Sequence, residues 1–279
     1  AQYLEHDSGN PFYKSNQYKT SIGADFKIGM GSNLTIDGTI NPDFGQVEVD
    51  PAVVNLSAFE TFFPEKRPFF IEGSNIFSFG FGGSNNHWGF NFGVPELFYS
   101  RRIGRSPQGN ISDNDYSNYP NETSILGAAK LTGKIADNWS LGVLSAITER
   151  TYATLDHGGL RSKEEVEPFT HYAVLRSQKE FNDGKQALGV IFTSVNRDLR
   201  DSNLNTALTK NAYTLGFDGW AFLDKDETYV LTANLIGSYT HGSKEAISSL
   251  QEKPHRYLQR PDAEYARIDR NKTHLAGWF

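Results

Sequence analysis

Two stretches concentrate the residues able to do chemistry. FETFFPEKRPFFIEG, at 59–73, sets Glu60, Glu65, Lys66, Arg67 and Glu72 among phenylalanines, and LFYSRRIGR, at 97–105, supplies Arg101, Arg102 and Arg105. The run is too apolar for a solvated loop and too broken by proline for a helix or a central strand. Enclosed charges must find partners, because an unpaired charge away from water is costly. The chemistry expected is therefore noncovalent: Glu60, Glu65, Lys66, Arg67 and Glu72 pairing by opposite charge with Arg101, Arg102 and Arg105, or with strand residues such as Asp25, Lys27 and Asp37, around an enclosed passage. A surface loop with solvated charges is the alternative.

Covalent and metal chemistry finds less to work with. The chain has no cysteine, which removes thiolate nucleophiles, thiolate metal sites and disulfides. Its seven histidines are scattered without metal-ligand spacing. GFGGSN at 80–85 lacks the third glycine of a dinucleotide fingerprint, and no HExxH, P-loop or nucleophile elbow occurs. SDNDYSN at 112–118 offers Asp113 and Asp115 as weak calcium candidates, but without the glycine and distal glutamate of an EF-hand loop. Asp43, Glu48 and Asp50 form a second acidic group of the same ambiguity. No catalytic residue, cofactor or resident metal is expected.

The elements that must carry these residues are strands. Aromatics make up 13% of the 279 residues, with 26 glycines and one methionine, a composition that leans toward strands and turns. From Tyr18 to Ile28, Tyr18, Thr20, Ile22, Ala24, Phe26 and Ile28 alternate with Lys19, Ser21, Gly23, Asp25 and Lys27, a period of two. NLTIDGTIN repeats it after a short turn, giving a hairpin. Further hairpins read at 123–132 with 139–149, at 170–180 with 187–197 around an Asp-Gly turn, and at 211–222 with 228–240. A last apolar run begins near Thr273. The residues expected on the apolar face include Ile22, Phe26, Ile28, Leu34, Ile36, Leu141, Val143, Leu231 and Leu235.

These strands are about ten residues long, the length that crosses a hydrocarbon core at barrel tilt, whereas strands of soluble proteins average about five to six. Connections alternate short and long, with the long ones at 42–122, 150–169, 198–210 and 241–262, as in outer-membrane barrels. The fold class expected is all-β: an antiparallel transmembrane-type β-barrel, or part of one, with about nine to ten strands in this segment. Residues 1–279 read as a single barrel unit, with 42–122 an inter-strand insertion that acts as plug or external loop. No apolar run approaches the ~18 residues of a membrane helix. The net charge of −6 with interspersed signs gives no nucleic-acid surface. AQYLEHDSGN lacks the features of a signal peptide, and the strand at 18–28 wants an earlier partner, so the chain reads as a slice of a longer protein.

NPDFGQVEVDPAVVNLSAFETFFPEKRPFFIEGSNIF, LFYSRRIGR and ILGAAKLTGK, with a weaker match at QRPDAEY, resemble the signature of a largely uncharacterised family of bacterial envelope proteins. The resemblance implies an outer-membrane-type barrel preceded, in full-length members, by a β-sandwich similar to a carbohydrate-binding module. It implies a location, the outer membrane of a Gram-negative bacterium, rather than a reaction.

Three functions compete. The leading one is a non-enzymatic outer-membrane barrel, a conduit or anchor for surface glycan or nutrient handling, whose lumen is controlled by the aromatic-rich segment. Its partners would be outer-membrane lipid and an oligosaccharide or another small solute, with no nucleic acid. The second is an outer-membrane hydrolase with a loop-borne active site. The third is a soluble carbohydrate-binding β-sandwich using exposed aromatics such as Trp88 and Tyr99.

Overall fold

The computed structural model of the chain describes residues 9–12, 22–42, 60–80, 84–85, 91–92, 95–253, 262 and 267–278. The elements in chain order are β1 (Ala24–Met30), β2 (Leu34–Ile40), α1 (Pro68–Ile71), β3 (Ser84–Asn85), β4 (Asn91–Phe92), β5 (Tyr116–Asn118), β6 (Ile125–Ala136) and β7 (Trp139–Thr148). They continue with β8 (Thr151–His157), β9 (Leu160–Glu167), β10 (Thr170–Phe181), β11 (Gln186–Arg197), α2 (Ser202–Ala207), β12 (Asn211–Phe222), β13 (Val230–His241), α3 (Lys244–Glu252) and β14 (His274–Trp278).

The main sheet has nine antiparallel strands in the order β1-β2-β6-β7-β10-β11-β12-β13-β14. Neighbours in the sheet follow one another along the chain once the insertions are set aside, so it is a meander, with β1 and β14 at its edges and no closure between them. The all-β antiparallel expectation holds. The hairpins fall where the period-two pattern put them, with shifts at their ends. β6 runs on to Ala136 through a bulge, leaving Asp137 and Asn138 as the turn. The turn after β10 is tight because Asn182, Asp183 and Gly184 all adopt positive φ, which Asn, Asp and Gly tolerate best. The expected strand residues 18–21 lie outside the described residues.

All four short turns leave one end of the sheet, and the four long connections leave the other. The long ones are not bare loops. β8 and β9 form a hairpin joined by β5 into a three-stranded sheet, with Ala153, Leu155 and Val166 buried beneath Ile111 and Tyr119. α2 and α3 pack on each other. Asp201 caps α2 by accepting from the Asn203 and Leu204 amides, and Ser243 caps α3 by accepting from Ala246, the usual satisfaction of a first helical turn.

The core lies between one face of the sheet and the described residues of the 60–124 segment. Phe70, Phe77, Phe79 and Ile103 from the segment pack on Ala128, Leu144, Ala146, Tyr172, Val174, Ile191 and Ile236 from the wall. Alternation and register give each strand a covered and a bare face. The covered face carries Asp37, Lys130, Arg176 and Asp218, all buried. The bare face carries Phe26, Ile28, Leu131, Val143, Leu175, Leu188, Leu215, Phe217, Leu231 and Leu235. Among the described strand residues, Lys179 is its one Asp, Glu, Lys or Arg.

Candidate functional site

Arg67 organises the segment. Its Nε and Nη2 donate to the two Glu65 carboxylate oxygens at 2.8 and 2.7 Å, its Nη1 donates to the Ile103 carbonyl at 2.7 Å, and Nη2 also donates to the Ser100 carbonyl at 2.9 Å. The guanidinium lies 4.2 Å from the Phe70 ring centre. The Ser100 hydroxyl donates to Glu65 at 2.5 Å. One fork therefore joins the two signature stretches through residues more than thirty positions apart in sequence. Burial alone would raise the Glu65 carboxyl, but the bonds from Arg67 and Ser100 and the guanidinium charge outweigh it and hold the pKa at about 2.

The other expected residues divide. Arg102 pairs with Glu60, and Arg101 donates to the Pro64 carbonyl at 3.0 Å. Glu72 leaves its own segment and meets Lys27 of β1 at 2.8 Å, and Lys27 lies 3.8 Å from Asp37. The Lys66 backbone amide donates to Glu65 at 3.0 Å. Arg105 stands apart from these pairs, toward the ends of β10 and β11, within electrostatic reach of Tyr172, Arg197 and Glu167. Asp115 is used in structure, accepting from the Gly158 amide at 2.7 Å. Among the described residues no cluster of metal-ligand type includes it or Asp113. Asp43, Glu48, Asp50 and Trp88 lie outside the described residues. Tyr99 exchanges hydrogen bonds with the Phe63 backbone at 2.9 and 3.0 Å, which brace the segment. Phe62 is 58% exposed, its edge against Tyr99.

The wall contributes residues that the motifs did not flag. Lys130 Nζ, at the centre of β6, donates to the carbonyls of Phe69 and Glu72 at 2.6 Å each, gathering the C-terminal carbonyls of the single-turn α1. Arg176 of β10 and Asp218 of β12 form a buried ion pair, and Asp218 also accepts from the Gly80 amide at 2.7 Å. Two glycines make room for the segment. A Cβ at Gly142 would stand 2.8 Å from Ile76 and 2.9 Å from Phe77, and one at Gly216 would stand 2.7 Å from Phe79 and 2.8 Å from Leu97. Lys130, Arg176 and Asp218 each alternate with an apolar neighbour of the bare face, Leu131, Leu175 and Phe217.

Residues of the segment line a cavity of about 610 Å³, among them Phe63, Phe70, Phe79, Glu96, Phe98 and Tyr99. Among the described residues, hydrolase chemistry has the pair Ser145 Oγ and His171 Nε2 to consider, 2.9 Å apart on the bare face. Asn196 is opposite His171 in the register, but its Oδ1 already accepts from Asn211 and Tyr213 at 2.8 and 2.7 Å. An acceptor so occupied does not orient an imidazole.

Comparison with curated proteins and with solved structures finds no match. The two signature stretches, the segment they build and all but the last strand of the wall fall within residues 2–253, which match the family model described as Domain of unknown function (DUF5916), and the chain belongs to that family.

Proposed function

We propose that the nine-stranded sheet is the wall of an outer-membrane β-barrel, that the 60–124 segment lies in its lumen, and that the protein is a conduit or anchor for surface glycan or nutrient handling rather than an enzyme. The observation that carries this reading is the inversion of polarity across the sheet. Leu188, Leu231 and Leu235 are 68%, 59% and 53% exposed, while Lys130, Arg176 and Asp218 are nearly sealed. A soluble sheet buries the first kind and exposes the second; a membrane barrel does the reverse.

Aromatic rows at both ends of the bare face support it. Toward the long connections, Phe192, Tyr213, Tyr239 and His274 stack in succession with ring centres 6.3, 6.4 and 5.9 Å apart. Toward the short turns, Lys179 lies 5.0 Å from the Trp139 ring and 5.5 Å from Phe181. The rows are six to eight residues apart on β10, roughly 20–27 Å along a strand, comparable to the ~25 Å apolar band of outer-membrane barrels. The segment itself touches much of the wall: the Glu72 side chain meets Lys27 of β1, and the Gly80 amide, eight residues on, meets Asp218 of β12.

With no native cysteine, single cysteines at Leu235 and Asn234 can carry a fluorophore without interference. In lipid vesicles, brominated acyl chains should quench the label at 235 and leave the label at 234 bright. Equal quenching at both positions would remove the basis for a lipid face.

A further inference from the structure

Arg105 donates no hydrogen bond among the described residues, and its Nε is sealed from solvent. The same holds for Nε of Arg197, whose Nη1 is spent on Thr209, and for the hydroxyl of Thr123, whose backbone amide bonds the Arg105 carbonyl at 3.0 Å. Arg197 closes β11 on the covered face, in register with Thr170, and Thr170 with Thr148. Glu167 is the carboxylate in reach, but it is held by the Gln108 amide at 2.9 Å and the Gln108 side chain at 3.1 Å. Two guanidinium groups thus lie within electrostatic reach of one carboxylate that is engaged elsewhere. A guanidinium Nε–H shut off from water with no acceptor is costly. Guanidinium forks suit planar or tetrahedral oxyanions.

We infer that Arg105 and Arg197, with the Thr123 hydroxyl, form a binding site for the oxyanion group of a soluble solute, a phosphate or a carboxylate, where the long connections meet the covered face. Burial, the leading cause, works against the charged form of Arg105, and the Arg197 charge adds to it. A bound anion reverses both effects. The site lies opposite the apolar face, so a free solute reaches it where a lipid headgroup does not. This deepens the conduit reading by naming a solute class, acidic rather than neutral.

The test is calorimetric titration of the full chain in detergent with inorganic phosphate, and separately with acetate, at constant chloride. Saturable binding of either anion is expected, weakened at least tenfold in Arg105→Met and in Arg197→Met. Without anion, Arg105→Met should melt no lower than the parent, because it removes an uncompensated charge. If Arg105→Met does not fold, Arg105→Lys decides: it keeps the charge without the fork, and its affinity should fall yet remain measurable. Binding of neither anion by the parent, or equal affinity in the Arg105 variants, overturns the site. The measurement needs no transport, so its failure leaves the conduit reading standing, and an electrically silent bilayer leaves the anion site standing.

Discussion

Phe77 occupies the space that Gly142 leaves on the covered face, its ring edge 2.9 Å from where a Cβ would stand. Phe79 uses Gly216 of β12 in the same way, at 2.7 Å. A rigid branched side chain at either position must move backbone or a ring that is itself packed, a change that typically costs about 1–3 kcal/mol. Gly142→Val and Gly216→Val should therefore loosen the segment while leaving the wall folded. Single-channel recording should give larger or more frequent openings; conductance identical to the parent's would mean that these contacts do not hold the segment.

Lys130 is a second fastening. Lys130→Met keeps most of the side-chain volume but leaves the Phe69 and Glu72 carbonyls without their donor, a loss of about 1–3 kcal/mol. Limited proteolysis at Lys66 or Arg67 should become faster in the variant. Unchanged cleavage would show that the lysine contributes little to holding α1.

Asp218 serves both wall and segment through Arg176 and the Gly80 amide. Asp218→Leu strands a buried guanidinium and should destabilise by about 3–5 kcal/mol, whereas Arg176→Met combined with Asp218→Leu should recover part of that. Chemical denaturation of the two single variants and the double completes the cycle. Strict additivity would argue against a coupled pair.

Glu65 makes the segment sensitive to acid. Its folded pKa of about 2 lies below the ordinary 4.5, so the stabilisation is complete above about 4.5 and disappears as the pH falls toward 2. The difference corresponds to at most about 3 kcal/mol. Glu65→Gln should lower stability at neutral pH and flatten the response between pH 5 and 2, followed by near-UV circular dichroism. The same acid response in both proteins would assign it to other carboxylates.

Leu235 and Asn234 sit side by side on β13 and face opposite ways. Arginine at Leu235 should cost roughly 2–4 kcal/mol in bilayers, and at Asn234 far less. Equal penalties in unfolding titrations from lipid vesicles would contradict an apolar environment on the bare face.

The deletion of residues 60–105 separates a lumen segment from an external one. Vesicle swelling should rise while the strand content of the wall persists. An unchanged swelling rate, with cleavage at Lys66 in intact cells, would place the segment outside.

The strands and their two faces were legible because alternation is a local property: a pleated strand sends successive side chains to opposite sides whatever lies beyond it. From Phe26 and Ile28 to Leu231 and Leu235, period two alone assigned the apolar face, and loop lengths sorted the turns to one end. The hairpin β8–β9 and the short helices α2 and α3 were not legible. TYATLDH and LRSKEEVE alternate weakly, and helices of six and nine residues are set by capping and packing more than by propensity.

The charged stretches show the same division. Their composition alone determined that Glu65, Arg67, Glu72 and the arginines at 101, 102 and 105 needed partners. Which partner each took was decided in three dimensions: Glu72 crosses to Lys27, forty-five residues earlier in the chain, Arg67 spans to the Ile103 carbonyl, and Arg105 comes within electrostatic reach of Tyr172, Arg197 and Glu167. Pairing between distant residues depends on how strands stack across the sheet and on where glycines such as Gly142 and Gly216 let a ring approach, and neither is encoded in the spacing of the residues that meet.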